Sequence, residues 1–212
     1  MQQLFTILLV LHIIGGATSI LLGSYILFTK KGTKRHRLIG NIYFYAMLTG
    51  AIVAMPMSYI HPNFFLFIIA VFTAYMLLTG KRYLTKKSMA DITMTDWILT
   101  LVMLIFAIAL IILGVYHLLH PRIFGIVFLS FGTISLLFVY KDYKNYSGKA
   151  AVKNFGLVTH LQRMMGSYIA SVTAFLVVNN RILPPTVAWL LPTVIIVPLI
   201  VKWSKKYTVK QL

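Results

Sequence analysis

Seven apolar runs, each about long enough to span a lipid bilayer, alternate along the chain with short polar connections. The runs lie at residues 4–28, 38–60, 63–84, 97–119, 122–140, 159–180 and 184–203. A membrane-spanning helix needs about 20 mostly apolar residues, so a chain of 212 residues with short connections accommodates seven. We therefore predict an all-α membrane protein, a bundle of about seven transmembrane helices that forms one transmembrane domain over residues 1–212.

The composition agrees with a bilayer environment. Hydrophobic residues make up 59% of the chain and charged residues 11%, against roughly 25% charged residues in an average soluble domain. The net charge of +17 does not indicate nucleic-acid binding, because the basic residues flank the apolar runs and form no separate basic domain. The chain has no cysteine, which excludes disulfides, thiolate catalysis and cysteine-ligated clusters.

Lysine and arginine residues concentrate at alternate connections, which predicts the orientation of the bundle. The rich connections and the tail contain Lys30, Lys31, Lys34, Arg35, Arg37, Lys81, Arg82, Lys86, Lys87, Lys141, Lys144, Lys149, Lys153, Lys202, Lys205, Lys206 and Lys210. The other connections contain only Arg122 and Arg181. Because positive charge stays on the cytoplasmic side, the N-terminus is predicted outside and the C-terminus inside. No basic residue precedes run 4–28, which favours a spanning helix over a signal peptide.

A faint internal repeat divides the chain. Gly16-Ala-Thr-Ser19 in the first run resembles Gly132-Thr-Ile-Ser135 in the fifth, and the start of the second run resembles the start of the sixth. The pattern predicts a 3+1+3 arrangement, with repeats over 1–84 and 122–212 joined by a linker helix over 97–119. Parallel repeats of this kind occur in some transporters.

Two segments carry a resemblance to a known family. One is His36-Arg37-x-x-Gly40-x-x-Tyr43-x-x-x-Met47, preceded by Lys31-Gly32, and the other is His160-Leu-Gln-Arg-Met-Met-Gly-Ser-Tyr168. Together they resemble the bacterial multi-pass membrane proteins grouped as domain of unknown function 2306. The resemblance covers most of helices 1, 2 and 6. It implies the fold and a place in the bacterial cytoplasmic (inner) membrane, and it implies no known activity.

Acidic residues are absent from all seven apolar runs. Asp91, Asp96 and Asp142 are predicted to lie in cytoplasmic connections or at their edges. Ion-coupled carriers usually keep a carboxylate within the membrane, and membrane zinc hydrolases generally need an acidic group beside their histidines. The pattern therefore disfavours both classes, and it predicts no catalytic residue.

The histidines are the candidate binding residues because they fall into two groups by depth. His12 and His117 lie towards the external side, and His36 and His160 open the second and sixth helices at the cytoplasmic side. Two axial histidines from different helices commonly hold haem b in a helical bundle. The pairing predicts an outer haem iron held by His12 and His117 and an inner one held by His36 and His160.

Neighbouring side chains extend the inner candidate site. Arg35, Arg37 and Arg163 are predicted near the inner haem propionates, and Tyr43 and Tyr168 occupy matching repeat positions where they could hydrogen-bond near the site. The alternative interpretation is structural, because histidine settles readily at the headgroup level, arginine can extend to the membrane surface, and tyrosine can serve helix packing.

Three classes of function remain open. The first is a redox protein that binds haem b and exchanges electrons with a quinone. The second is a transporter for a small or lipidic molecule, which the repeat favours. The third is a structural, sensory or assembly-accessory membrane protein, and an enzyme of lipid chemistry is a further alternative. The bilayer is the predicted partner in every case, and quinone or another lipidic small molecule is the candidate ligand.

Overall fold

The computed structural model describes residues 2–86 and 88–208, without the side chain of Met89. Within these residues the chain forms seven α-helices, each long and apolar enough to cross a membrane. They are α1 (Gln2–Phe28), α2 (Lys34–Ile60), α3 (Phe64–Arg82), α4 (Met94–Leu119), α5 (Gly125–Tyr146), α6 (Phe155–Asn179) and α7 (Pro185–Tyr207). The predicted fold class, a bundle of seven membrane-spanning helices, is confirmed. Lys87 and Lys210 of the predicted charge pattern lie outside the described residues.

Short capped connections make neighbouring helices antiparallel. The Thr33 side chain accepts a hydrogen bond from the backbone N–H of His36 at 3.1 Å and so begins α2. Asn63 caps α3 through the N–H of Leu66 at 3.1 Å. Both are residues whose side-chain oxygen satisfies a free N–H of the first helical turn. One end of the bundle, here called the lysine-rich end, therefore comprises connections 29–33, 83–93 and 147–154 and the end of α7.

Five helices (α2, α4, α5, α6 and α7) extend beyond their predicted apolar runs at the lysine-rich end, and α2 and α5 are two examples. α2 begins at residue 34 instead of 38, and α5 continues to residue 146 instead of 140. The added turns contain lysine, arginine and tyrosine, whose long amphipathic side chains suit the headgroup region and do not interrupt a helix. The extension of α5 brings Asp142 into a helix.

α3 lies at the centre of the bundle. It packs against α2, α4 and α6, while α1 lies against α2 and α6, and α5 lies against α4 and α7. Much of the core is aromatic: the Phe65 ring centroid lies 4.5 Å from that of Phe128 and 4.9 Å from that of Trp189. These contacts join α3, α5 and α7 towards the end opposite the lysine-rich end.

Small residues set the closest helix contacts, as is common in membranes. A Cβ atom added at Gly15 of α1 would lie 2.7 Å from the carbonyl oxygen of Ala46 on α2. A Cβ atom added at Gly125 of α5 would lie 2.7 Å from the carbonyl oxygen of Gly114 on α4. Ser19 and Ser135, the matching serines of the suggested repeat, are both fully buried and donate to the carbonyl four residues earlier. The 3+1+3 division itself stays a prediction.

Candidate functional site

A cavity of about 260 Å³ lies among α1, α2, α3 and α6 at the lysine-rich end. Five of the eight predicted site residues line it: His36, Arg37, Tyr43, His160 and Tyr168. We call it the two-histidine cavity. A second, wider groove between α5 and α7 is lined by apolar, serine and threonine side chains and by no titratable group. The two-histidine cavity is therefore the candidate site.

His36 lies in the first turn of α2, directly after the Thr33 cap. Its Nδ1 atom is buried and has no hydrogen-bond partner within the part of the chain that the structure describes. Nδ1 has almost no accessible surface, so the His36 ring nitrogen open to a cavity ligand is Nε2, which forms no hydrogen bond among the described residues.

His160 lies in the second turn of α6, and its ring is oriented by α3. Its Nδ1 atom lies 2.8 Å from the carbonyl oxygen of Gly80. A carbonyl oxygen only accepts hydrogen bonds, so Nδ1 carries the proton and neutral His160 keeps a lone pair on Nε2. A ring nitrogen with this support is the usual arrangement for a histidine that binds a metal or accepts a proton.

Two tyrosine rings line the cavity and also pack in a buried cluster of the bundle. The Tyr43 hydroxyl lies 2.7 Å from Ser167 Oγ, and the Tyr168 hydroxyl lies 2.7 Å from Ser24 Oγ. These bonds fix the rings by joining α2 to α6 and α6 to α1. Gly23 permits the arrangement, because a Cβ atom added there would overlap the Tyr168 ring. The tyrosines therefore shape the cavity, with their hydroxyls already bonded to serines.

Two cations line the cavity without an acidic partner among the described residues. Arg37 bonds weakly to the carbonyl of Gly32 at 3.4 Å, and the Lys81 ammonium lies 4.2 Å from the ring centroid of Phe44. The chain has three acidic residues in all, and none forms an ion pair with either cation. The cavity therefore combines apolar walls with a positive rim. Lys81 was not among the predicted site residues.

Lys31 closes the end of α1 beside the cavity. Its ammonium donates to the carbonyls of Ile26, Leu27 and Thr29 at 2.5, 2.8 and 2.9 Å, and it lies 4.8 Å from the ring centroid of Trp203 on α7. A cation suits the negative end of a helix. Burial lowers the pKa of the Lys31 ammonium below its ordinary value.

His12 and His117, the predicted outer pair, have separate partners. His12 Nδ1 lies 3.0 Å from the carbonyl oxygen of Gly50 on α2. The His117 ring stacks on Phe128 of α5 at a centroid distance of 4.8 Å. α1 packs against α2 and α6, whereas α4 packs against α5 and α3, so the two histidines do not face each other across one interface. The outer haem stays a prediction without support from these contacts.

Arg163 lies away from the cavity, in a buried ion pair. Its exposed fraction is 1%, and its Nη2 atom lies 2.7 Å from Oδ1 of Asp142, which is fully buried. The guanidinium also lies 4.0 Å from the ring centroid of Phe138 and donates to the carbonyl of that residue. Arg163 therefore does not extend to the membrane surface, and its prediction as a propionate partner has no support from these contacts.

Asp142 lies close to the edge of a connection, as predicted, but within the last turns of a helix and among hydrogen-bond partners. Asp142 lies inside α5 and accepts hydrogen bonds from Tyr75, Tyr83 and Thr100 as well as Arg163. The predicted run ended at residue 140, before the helix itself ends. Ion-coupled transport was disfavoured because no carboxylate lies within an apolar run, and Asp142 lies two residues beyond run 122–140.

Asp96 is at an edge as predicted, in the first turn of α4, but it too is buried. Arg82 Nε and Lys86 Nζ lie 2.7 and 2.8 Å from its oxygens. It also completes a capping box with Thr93, an arrangement that satisfies free N–H groups at a helix start. Of these two ion pairs, the one between Arg82 and Asp96 joins α3 to α4.

Comparison with known proteins identified no relative: no family model, no curated protein and no solved structure matches the chain. The resemblance to the domain of unknown function 2306 family therefore stays a prediction.

Proposed function

We propose that the chain is a membrane redox protein whose two-histidine cavity binds the ring of a quinone. The observation that supports this most is that His36 and His160, from different helices, line one largely apolar cavity. Each histidine has a ring nitrogen left for a ligand. His36 Nε2 has no hydrogen-bond partner among the described residues, and His160 bonds to Gly80 through Nδ1, which leaves its Nε2 unused.

A quinone matches both histidines in its two redox states. A quinone carbonyl oxygen accepts a hydrogen bond from a His36 N–H, and a quinol hydroxyl donates one to the His160 Nε2 lone pair. The apolar side chains of Ile26, Leu84 and Met164 form the walls, which suits an uncharged ring with a lipidic tail. The positive rim of Arg37 and Lys81 favours the negative charge that a quinone gains on reduction.

The enclosed volume indicates a single ring. About 260 Å³ is slightly below the roughly 300–1,000 Å³ of pockets that enclose drug-sized ligands. A quinone head fits within it, and its tail would lie in the bilayer.

Haem b is the second candidate, favoured by the same two histidines. A histidine that binds iron usually donates its other ring N–H to a carbonyl, as His160 does to Gly80. Arg37 and Lys81 would then lie near the propionates. A porphyrin is larger than the enclosed volume and would extend through the cavity mouth, which is why quinone stands first.

The proposed location follows from the charge pattern. The lysine-rich end faces the cytoplasm by the positive-inside rule, so the two-histidine cavity lies in the cytoplasmic half of the bacterial inner membrane. Transport of a lipidic molecule and a structural or accessory role are the alternatives. No contact among the described residues favours either of them over ligand binding in the two-histidine cavity.

The function is tested by titrating the purified full-length chain, in detergent micelles, with a short-tailed benzoquinone and measuring heat against blank micelles. We expect saturable binding of one quinone per chain. An absorption spectrum of the same preparation, before and after dithionite, identifies haem through a Soret band that shifts on reduction. A Soret band would show that haem, and not quinone, is the ligand. If the protein shows neither saturable quinone binding nor a Soret band, the proposal is contradicted.

A further inference from the structure

The Asp142 carboxylate joins three other helices to α5. It accepts hydrogen bonds from Tyr75 and Tyr83 at 2.5 and 2.8 Å, from Arg163 on α6 at 2.7 Å, and from Thr100 on α4 at 3.3 Å. Tyr75 lies on α3, and Tyr83 directly follows that helix. The carboxylate therefore holds α3 and α6 at the same depth.

Gly80 lies between those two tyrosines in the sequence and contacts α6 directly. A Cβ atom added at Gly80 would lie 2.7 Å from Cβ of Arg163, so the backbone of α3 packs against this side chain. The Gly80 carbonyl belongs to the last turn of α3, where carbonyls lack full helical partners. It accepts the His160 Nδ1–H bond at 2.8 Å.

His160 and Arg163 are thus one helical turn apart on α6 and contact the same residue of α3. From these contacts we infer that Asp142 is a positioning residue for His160. Through Arg163 and the two tyrosines it holds the Gly80 carbonyl against the imidazole and so keeps the proton on Nδ1. The benefit to ligand binding rests on the proposed function, because this tautomer presents the Nε2 lone pair to the cavity.

Stability alone is a weaker explanation of this arrangement. A buried ion pair is often no more stable than apolar residues of similar volume, since both charges lose their hydration. Here Arg163 Nη1 is buried without a hydrogen-bond partner among the described residues, which adds to the cost. The hydrogen bonds to Asp142 fix the relative positions of α3 and α6 with a directionality that apolar contacts lack.

The experiment compares wild type and Asp142→Asn by nitrogen-15 NMR of the full chain with labelled histidine. Spectra are recorded at about pH 8, above the ordinary histidine pKa of ~6.5, without any cavity ligand. His160→Ala identifies the His160 signals. In wild type we expect one tautomer, with the proton on Nδ1 and slow to exchange. In Asp142→Asn we expect signals averaged between the two tautomers and faster proton exchange.

Asp96→Asn is the matched control, because it also neutralises a buried, ion-paired aspartate at the lysine-rich end but one that does not contact α6. It should leave the His160 signals at their wild-type positions. Unchanged His160 signals in folded Asp142→Asn would overturn the inference, as would an equal change in Asp96→Asn.

A second variant covers the case in which Asp142→Asn does not fold. Tyr75→Phe combined with Tyr83→Phe removes the two hydroxyls that join α3 to Asp142 and leaves the ion pair intact. It should also average the His160 tautomers, and wild-type signals in this variant would overturn the inference. All these spectra lack ligand, so they decide the role of Asp142 whether or not quinone binds, while the titration alone decides the proposed function.

Discussion

Arg163→Met is expected to destabilise the helical bundle by about 3–5 kcal/mol, the usual cost of removing one partner of a buried ion pair. Asp142, 0% exposed, would keep its charge in a low-dielectric interior or would have to take up a proton. The packing of Arg163 between Tyr75 and Phe138, whose ring centroids lie 4.6 and 4.0 Å away, would be only partly replaced by methionine. The measurement is the free energy of unfolding in mixed detergent micelles, followed by circular dichroism.

The double variant Asp142→Leu, Arg163→Met is the decisive comparison. Because it removes both charges, its loss of stability should be smaller than that of Arg163→Met alone. The single variant Asp142→Leu completes the cycle. If the double variant loses as much free energy of unfolding as Arg163→Met and Asp142→Leu lose together, the two side chains do not act as a pair, contrary to the 2.7 Å contact.

Gly40→Leu is expected to reduce quinone affinity at least tenfold, equal to about 1.4 kcal/mol. Gly40 lines the two-histidine cavity, and a Cβ atom added there meets no atom within 4 Å. A leucine side chain therefore has room to occupy the cavity without displacing a helix. It competes with the ligand for the same space.

Gly16→Leu provides the matched control. Gly16 also has no atom within 4 Å of an added Cβ, but it lies on α1 outside the cavity lining. It should fold and bind as wild type in the calorimetric titration. Equal affinity of Gly40→Leu and wild type would place the ligand elsewhere on the protein.

The fold was predictable because a bilayer leaves few choices. Backbone polar groups must be satisfied within each spanning segment, so every apolar run of sufficient length becomes a helix. The helix ends were less predictable. Residues 141–146 look polar in sequence, yet they continue α5, since the headgroup region accepts lysine and tyrosine on a helix.

The position of each histidine along its helix was predictable from the sequence. The side of the helix on which its side chain lies was not. His36 and His160 were placed at the same depth, and they do share a cavity. His12 and His117 were paired by the same reasoning, but their helices α1 and α4 have different neighbours. A run that is apolar on all sides gives little indication of which face meets a partner.

The sequence contained enough information to predict the ion-pair partner of Arg163. An arginine inside an apolar helix needs a counter-charge when it is buried, and the chain offers only three acidic residues. Asp142, two residues after the predicted end of the fifth run, was within reach of that reasoning. The role of Gly80 was not, because a backbone carbonyl that accepts from His160 leaves no mark in the sequence.

The central claim, that the two-histidine cavity holds the ligand, is tested most directly by photo-crosslinking the full chain with an azidoquinone and mapping the labelled peptides by mass spectrometry. The account predicts label within 23–44, 81–84 or 160–168, the segments that line the cavity, and its loss when unlabelled quinone competes. Competable label confined to the groove between α5 and α7, at 126–134 or 190–194, would contradict it.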